Sequence, residues 1–102
     1  DVFSCIQQTY ADVEFADAWQ NHHQGGACSY GSRDYIATPH SDAVVHVPQA
    51  FAWNPSVPGA KSEDTVLITD AGADVLTASP DWPTQRFTVD GVTVARPLIL
   101  ER

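Results

Sequence analysis

The sequence predicts an all-β fold, a small antiparallel β-sandwich or barrel with long loops and room for one short N-terminal helix. The dipeptide Asp90-Gly91 is what a type I′ hairpin turn prefers, because both central residues need positive φ. Short runs of β-branched and aromatic residues recur along the chain, separated by Gly, Pro and Asp. We expect about five to seven short strands with turns between them, in a single β domain over residues 1–102.

The hairpin over residues 86–96 is the clearest of these elements. A two-residue turn fixes the pairing, so that Val89 faces Val92 and Phe87 faces Val94. Side chains alternate along each strand, which places these four on one face of the hairpin. The sequence therefore predicts a hairpin with one apolar side.

The other strands follow from alternation and from turn residues. Longer strands are predicted over residues 9–16, 43–53, 65–69 and 98–100, with shorter extended pieces at 35–38 and 75–76. Gly- and Ser-rich composition predicts a mobile loop over 21–33, and Pro55, Pro58 and Gly59 predict a long surface loop over 54–64. The first strand has an alternative: Phe3, Ile6, Tyr10 and Val13 also fit the stripe of a short helix. We favour the strand.

The charge is strongly acidic and unevenly distributed. The formal net charge is −8, and residues 1–85 hold 11 acidic side chains against 2 basic ones. Phosphate binding needs clustered Lys and Arg, so nucleic-acid sequence recognition is not expected. No apolar run reaches the roughly 18–20 residues of a membrane span, and no membrane association is expected. An acidic surface of this kind can steer the chain toward a basic partner.

No enzyme signature is present. Ser29, with Cys28 before it, superficially resembles a nucleophile elbow, but that motif needs Gly where Ala27 stands. The carboxylate pairs Asp12/Glu14 and Glu63/Asp64 are interpreted as solvated, because nothing supplies the cleft that glycosidase chemistry requires. We expect no catalytic residues and no enzymatic activity.

Metal ligands and cofactor motifs are not expected either. The candidate ligands have no zinc-type spacing: they are Cys28, His22, His23, His40 and His46. Adjacent histidines in a strand point to opposite faces, so such a pair supplies one ligand at most. We expect no cofactor.

Five side chains are the candidate interface. Asp12, Glu14 and Asp17 form an acidic cluster near the N-terminus. Trp53 ends the predicted long strand, and Trp82 lies between two prolines in a loop. Aromatic residues near loops are common in binding surfaces, so we expect these two to take part.

The two cysteines leave the redox state open. Cys5 and Cys28 are consistent with one disulfide or with two free thiols, and their spacing matches no zinc or redox motif. The first residue is not Met, so the chain is either processed or partly included. An exported domain held by a Cys5–Cys28 disulfide is one alternative.

The region 44–95 resembles small tailed-phage head-completion or stopper proteins, which attach heads to tails. The resemblance is carried by residues 64–76 and by Phe87-Thr-Val-Asp-Gly-Val-Thr-Val94, which is similar to the hairpin form Phe-x-Val-Asp-Gly-x-x-Tyr-x-Val of that family. A strand ending Gln49-Ala-Phe51 lies where that family has a strand before its long loop.

The resemblance implies a structural subunit of a phage-like neck, a small β-barrel or sandwich assembled as a ring. Its implied partners are a portal-side adaptor, a tail-side protein and copies of itself, with loops 21–33 and 54–64 making contacts. The implied location is the virion, assembled in the host cytoplasm. The alternatives are a small acidic, immunity-type inhibitor of a basic partner and the secreted, disulfide-held domain.

Overall fold

The computed structural model describes residues 1–101 and is built mainly from short antiparallel strands, which confirms the predicted class. Its helices are α1 (Val2–Asp12) and a 3-10 helix (Ala18–Asn21). Its strands are β1 (Gly25–Ala27), β2 (Tyr35–Ile36), β3 (Gln49–Trp53), β4 (Ser56–Val57), β5 (Ala60–Lys61), β6 (Asp64–Thr69), β7 (Gly72–Val75), β8 (Thr84–Val89) and β9 (Val92–Pro97). Among the described residues no helix is long and apolar enough to span a bilayer.

The strands form three open sheets. The largest has the order β2-β1-β3-β6-β7, and two hairpins, β4-β5 and β8-β9, form separate two-stranded sheets. Within residues 1–101 none of these sheets closes on itself, so the chain alone forms no barrel. The core is small, and its buried apolar residues come from α1, β1, β3 and the segment after β2; they are Phe3, Tyr10, Ala27, Ala37, Phe51 and Ala52.

The predicted strand over 9–16 is wrong, and the helical alternative is correct. The Asp1 side chain accepts hydrogen bonds from the amides of Phe3 (2.9 Å) and Ser4 (3.4 Å), which satisfies donors that a helix start leaves open. Phe3 and Tyr10, seven residues apart, lie on one face of α1 and are both buried. Capping and this buried stripe outweigh the short alternation that favoured a strand.

The segment 21–33 is not a loop throughout, because Gly25–Ala27 forms the buried strand β1 between β2 and β3. A Cβ built on Gly25 would overlap the Ala52 carbonyl oxygen, and one on Gly26 would overlap that of Tyr35. The glycines therefore let three backbones approach closely. Residues that indicated flexibility in the sequence serve close packing in the fold.

The predicted long strand over 43–53 is shortened to β3, Gln49–Trp53. It begins directly after Pro48, which has no N–H to donate to a ladder and follows a cis peptide bond. The predicted strand over 65–69 is confirmed as β6, which pairs with β3.

Two further boundaries differ from the prediction. The segment 54–64 carries the tight β4-β5 hairpin, with Gly59 at φ 85°, and is not a structureless loop. Residues 98–100 form no strand, since the last strand ends at Pro97.

The hairpin prediction is confirmed in detail. Val89 pairs with Val92 and Phe87 with Val94, as the two-residue turn requires. Asp90 (φ 49°) and Gly91 (φ 79°) both have the positive φ of a type I′ turn. We call residues 84–97 the arm.

Candidate interaction surface

The arm presents its apolar face to solvent. Phe87 is 44% exposed, Val89 64% and Val92 63%, and all six residues of β8 are exposed. A lone two-stranded hairpin is only marginally stable in water, and its stability normally comes from packing on a third element. The arm therefore has the sequence of a packed hairpin, yet no strand or helix among residues 1–101 packs on it.

The base of the arm is fixed to the large sheet by polar contacts. Arg96 of β9 forms an ion pair with Asp64 of β6, and its Nη2 donates to Ser62 Oγ at 2.6 Å. Thr77 Oγ1 donates to the other Asp64 carboxylate oxygen at 2.6 Å. Both charged side chains are largely shielded from solvent, so the pair is stronger than an exposed one. The arm is thus held at one end and free along its apolar face.

A second apolar surface, which we call the groove, lies on one face of the five-stranded sheet. It has a volume of about 610 Å³, and α1 covers only part of that face. Its apolar lining includes Phe3, Val45, Phe51, Trp53 and Ile68. Asp1 and Asp42, both exposed, border it. The groove therefore combines an apolar floor with an acidic edge.

The two candidate tryptophans lie in different places. Trp53 lines the groove and stacks on Phe51, with ring centroids 5.7 Å apart and planes at 6°. Trp82 lines another cleft, of about 590 Å³, between the arm and the β6-β7 edge, and its indole N–H donates to the Leu98 carbonyl oxygen at 2.7 Å. Trp53 is half-buried in the groove, whereas Trp82 is 43% exposed and also holds the segment that follows the arm.

The three acidic side chains at positions 12, 14 and 17 are all exposed. Asp12 is the last residue of α1, Glu14 has a left-handed backbone (φ 69°), and Asp17 precedes the 3-10 helix. Asp12 accepts a hydrogen bond from Gln8 at 2.8 Å. Within the described part of the chain no Lys or Arg pairs with these three carboxylates. They lie within six residues of one another along the chain, and none of them lines the cleft of either candidate tryptophan.

A buried polar network that the sequence did not predict joins α1 to the segment before β1 and to β4. The Tyr10 hydroxyl donates to Gln24 Oε1 at 2.8 Å and accepts from the Ser56 amide at 2.7 Å. Gln24 is 1% exposed, and its Nε2 donates to the carbonyl oxygens of Trp19 and His22, each at 3.0 Å. Buried polar groups that are fully paired specify one packing arrangement. The network therefore fixes α1 relative to the 3-10 helix, the residue before β1 and strand β4.

Beside this network, His22 and Ser56 have part of the arrangement that a catalytic serine needs. His22 Nδ1 lies 2.6 Å from the His23 carbonyl oxygen, so it donates there, and His22 Nε2 accepts from the Ser56 hydroxyl. A serine bonded to an oriented imidazole is the first requirement for nucleophilic catalysis. The Ser56 amide, however, donates to Tyr10 and offers no oxyanion site. We interpret the pair as a structural contact between the 3-10 helix region and β4.

Metal-ligating and sulfur groups are dispersed. Across residues 1–101 no three His, Cys, Asp or Glu side chains converge as a metal site. Cys5 is exposed on α1, Cys28 is half-buried after β1, and both are free thiols here. The disulfide alternative stays a prediction, to be tested by mass measurement with and without thiol alkylation.

The chain has more surface than a compact monomer of its size. Its accessible surface is 7644 Å², whereas a folded monomer of 11.1 kDa is expected to have about 5,650 Å². The radius of gyration is 14.2 Å, against about 12.8 Å for a compact domain of this length. The excess of about 2,000 Å² includes the exposed apolar face of the arm.

No protein-family model, curated protein or solved structure matches the chain. A function therefore has to be inferred from the surfaces described above.

Proposed function

We propose that this chain is a non-enzymatic structural subunit of a phage-like head–tail connector, neck or tail, and that it acts by protein–protein assembly. The arm carries the proposal. Its apolar face is formed by a correctly paired hairpin, yet that face is exposed in the isolated chain. An exposed apolar patch of this kind marks an interaction site in a soluble protein.

The excess surface supports assembly with more than one neighbour. A standard interface buries about 800 Å² on each partner. An excess of about 2,000 Å² is enough for two such interfaces on one subunit. Two interfaces per subunit are what a ring or a stacked neck requires.

The resemblance to phage stopper proteins supports the same function. The residues that carry it include the arm's own turn and apolar positions, and a short helix precedes the strands. In the proposed assembly, neighbouring subunits cover the open sheets and complete the sandwich or barrel that one chain leaves unfinished. Portal-side and tail-side proteins would contact the two ends of such a ring, and the chain would be found in the virion.

The test is sedimentation of native lysate from the producing organism, with this chain quantified in each fraction by mass spectrometry. The proposal predicts that the chain sediments with virion-sized particles at about one ring per particle. A matched strain carrying Val89→Asp should lose this co-sedimentation, whereas Thr88→Asp, on the opposite face of the arm, should retain it. Migration as a free small protein in both strains would refute the proposal.

The acidic cluster favours one alternative, an immunity-type module that binds a basic partner. Asp12, Glu14 and Asp17 are exposed and close together along the chain. Such an interface is electrostatic, so binding should weaken steeply with added salt. Migration of the chain as a one-to-one complex and not with virion-sized particles, with that complex lost in a triple Asp12→Asn, Glu14→Gln, Asp17→Asn variant, would favour this alternative.

A further inference from the structure

We propose that two copies of this chain pair strand β8 with strand β8, edge to edge and antiparallel, so that their two arms form one four-stranded sheet. This contact rests on the proposed function, in which the arm is an assembly surface. Three features of the chain support it: the outward-facing backbone groups of β8, a proline in β9, and the distribution of charge.

The ladder of the arm determines which backbone groups point outward. The Leu98 amide donates to the Pro83 carbonyl oxygen at 2.9 Å, next to the first pair of the arm. Hydrogen-bonded and non-hydrogen-bonded pairs alternate along an antiparallel ladder. The non-hydrogen-bonded pairs of the arm are therefore Thr84/Pro97, Arg86/Ala95 and Thr88/Thr93. Each residue of such a pair directs its N–H and C=O away from the other strand, so β8 has three open residues along its outer edge.

Of the two edges of the arm, β8 has the complete set of donors. In β9 the outward position nearest the base is Pro97, which has no N–H. Proline at a sheet edge discourages the addition of another strand. β8 contains no proline, all six of its residues are exposed, and no helix or strand of residues 1–101 other than β9 packs on it. β8 is therefore the edge to which a further strand can be added.

Charge favours a second copy in the antiparallel orientation. Residues 1–85 hold 11 acidic side chains against 2 basic ones, so the bodies of two copies repel each other. Parallel pairing would set these bodies side by side. Antiparallel pairing sets them at opposite ends of the joined sheet, with the bases of the arms about 20 Å apart at about 3.3 Å per residue. This distance exceeds the Debye length of about 8 Å at physiological ionic strength, so the repulsion is largely screened.

The side chains of β8 favour one register for this pairing. A two-fold axis at Arg86 would set the two Arg86 side chains directly opposite each other, and like charges in that position destabilise a sheet. A two-fold axis at Phe87 instead pairs the two Phe87 rings on the apolar face. Arg86 then lies opposite Thr88 and diagonal to Asp90 of the other copy. Val89 lies diagonal to Phe87 of the other copy, so a carboxylate at position 89 would face an aromatic ring.

A symmetric contact also completes both arms at once. A lone hairpin is marginally stable, whereas three or more strands with an apolar face can be stable independently. One contact between β8 strands supplies the added strands to both copies, and a foreign peptide would supply one strand to one copy. Such a two-fold contact joins two subunits and provides one of the two interfaces of the proposed assembly.

Two proline variants test the two edges with the same chemistry. Thr88→Pro removes an outward N–H from β8, and Thr93→Pro removes one from β9. The two threonines are cross-strand partners that share one hydroxyl–hydroxyl hydrogen bond of 2.8 Å, so both variants lose the same contact within the arm.

Mass by light scattering after size exclusion gives the readout. Thr88→Pro should raise the Kd of the dimer by about 10- to 100-fold, because each dimer loses two hydrogen bonds. Thr93→Pro is the matched control and should dimerise as wild type does. Equal dimerisation of the two variants would overturn the pairing through β8.

Amide exchange of the wild-type chain tests the same edge without a substitution. In dilute solution the amides of Arg86 and Thr88 should exchange rapidly, because they have no partner in the ladder. At concentrations at which the chain dimerises both should become protected, while the Thr93 and Ala95 amides on the edge of β9 should still exchange rapidly. Equal protection of both edges would contradict the choice of β8.

A crosslink tests the register. In a Cys5→Ser, Cys28→Ser background, Phe87→Cys should form a disulfide-linked dimer under mild oxidation. Residues that face each other in a non-hydrogen-bonded pair have Cα atoms about 4.5 Å apart, which a disulfide can span. Val94→Cys is the control, because Val94 pairs with Phe87 on the same face of the arm but lies on β9. Equal crosslinking through both positions would mean that the arms stack face to face, and edge pairing would be wrong.

Failure of this contact can be distinguished from failure of the proposed function. If wild type dimerises and Thr88→Pro dimerises equally well, assembly stands but uses another surface. If wild type stays monomeric at every concentration yet sediments with virion-sized particles, a second copy is the wrong occupant of the edge and the neck or tail role stands. A chain that is monomeric and absent from those particles would overturn both.

Discussion

Replacing Gly26 with alanine should separate β1 from β2. Gly26 pairs with Ala52 of β3 on one side and with Ile36 of β2 on the other. A Cβ at this position would overlap the Tyr35 carbonyl oxygen and lie 3.0 Å from Ile36 Cα. Both obstacles are backbone atoms, so no side-chain rotation relieves the overlap.

The cost follows from the hydrogen bonds that flank Gly26. The Ala37 amide donates to the Gly25 carbonyl oxygen at 2.8 Å, and the Asp34 amide donates to that of Ala27 at 2.9 Å. Leaving a buried backbone group unpaired costs about 1–3 kcal/mol, so losing both bonds costs about 2–6 kcal/mol. Alanine also restricts the unfolded chain more than glycine does, but this stabilises the folded state by only about 0.4–1 kcal/mol. The net loss, about 1–5 kcal/mol, is a large part of a total stability on the order of 5–15 kcal/mol.

Thermal unfolding followed by circular dichroism measures the effect. A loss of this size should lower Tm by about 4–40 °C in a domain of about this length. Gly31→Ala is the matched control, because only Ser29 Oγ comes within 4 Å of the added Cβ, at 3.8 Å. If the Tm of Gly26→Ala equals that of wild type, β1 is not a closely packed strand, and the description of the sheet is wrong.

Three other substitutions test separate parts of the fold. Tyr10→Phe should cost about 2–4 kcal/mol in urea unfolding, because it leaves the buried Gln24 and a backbone amide without their hydroxyl partner. Arg96→Ala should cost about 1–3 kcal/mol and speed amide exchange throughout the arm, because it removes the ion pair at the arm's base. Gly91→Val should cost about 1–2 kcal/mol, because a β-branched residue resists the positive φ of the turn.

Each of these has an internal control. Tyr30→Phe removes a hydroxyl from a fully exposed ring and should leave the unfolding midpoint unchanged. Arg86→Ala removes a charge from the arm that forms no ion pair within the described residues, so arm exchange should stay at the wild-type rate. Equal effects of Arg86→Ala and Arg96→Ala would argue against an anchor at Asp64. An unchanged Tm for Gly91→Val would argue against the type I′ turn.

The sequence predicts those parts of the fold that depend on local chemistry. Asp90-Gly91 fixes the arm's turn and register because few dipeptides accept two positive φ angles. The β-branched run that becomes β6 ends at a turn, and both are local signals. Such features need no information from distant parts of the chain.

Other parts of the fold depend on contacts between distant segments. β1 consists of two glycines and an alanine, so it has no apolar alternation to reveal it, and its identity comes from the close approach of β2 and β3. The choice of helix for residues 2–12 depends on burial of Phe3, whose ring packs edge-on against Trp19, and of Tyr10, whose hydroxyl bonds to Gln24. Local pattern alone cannot supply either contact.

The candidate site also has features that local sequence predicts and features that depend on contacts between distant segments. Trp53 was predicted as an interface residue from its position at a strand end, and it lies in the groove. The groove itself could not be predicted, because it joins α1, the loop before β3, and two strands that are paired only in the fold. The arm's apolar face was predicted, but its exposure depends on the absence of a third strand, which the sequence of the hairpin does not encode.

Sedimentation velocity of the purified chain over a wide range of concentration tests assembly through the arm most directly. The account predicts a sedimentation coefficient that rises with concentration for wild type and for Thr88→Asp, and one that stays at the value of an 11.1 kDa monomer for Val89→Asp. Wild type that remains an 11.1 kDa monomer at every concentration would contradict the proposal that the exposed arm is an assembly surface.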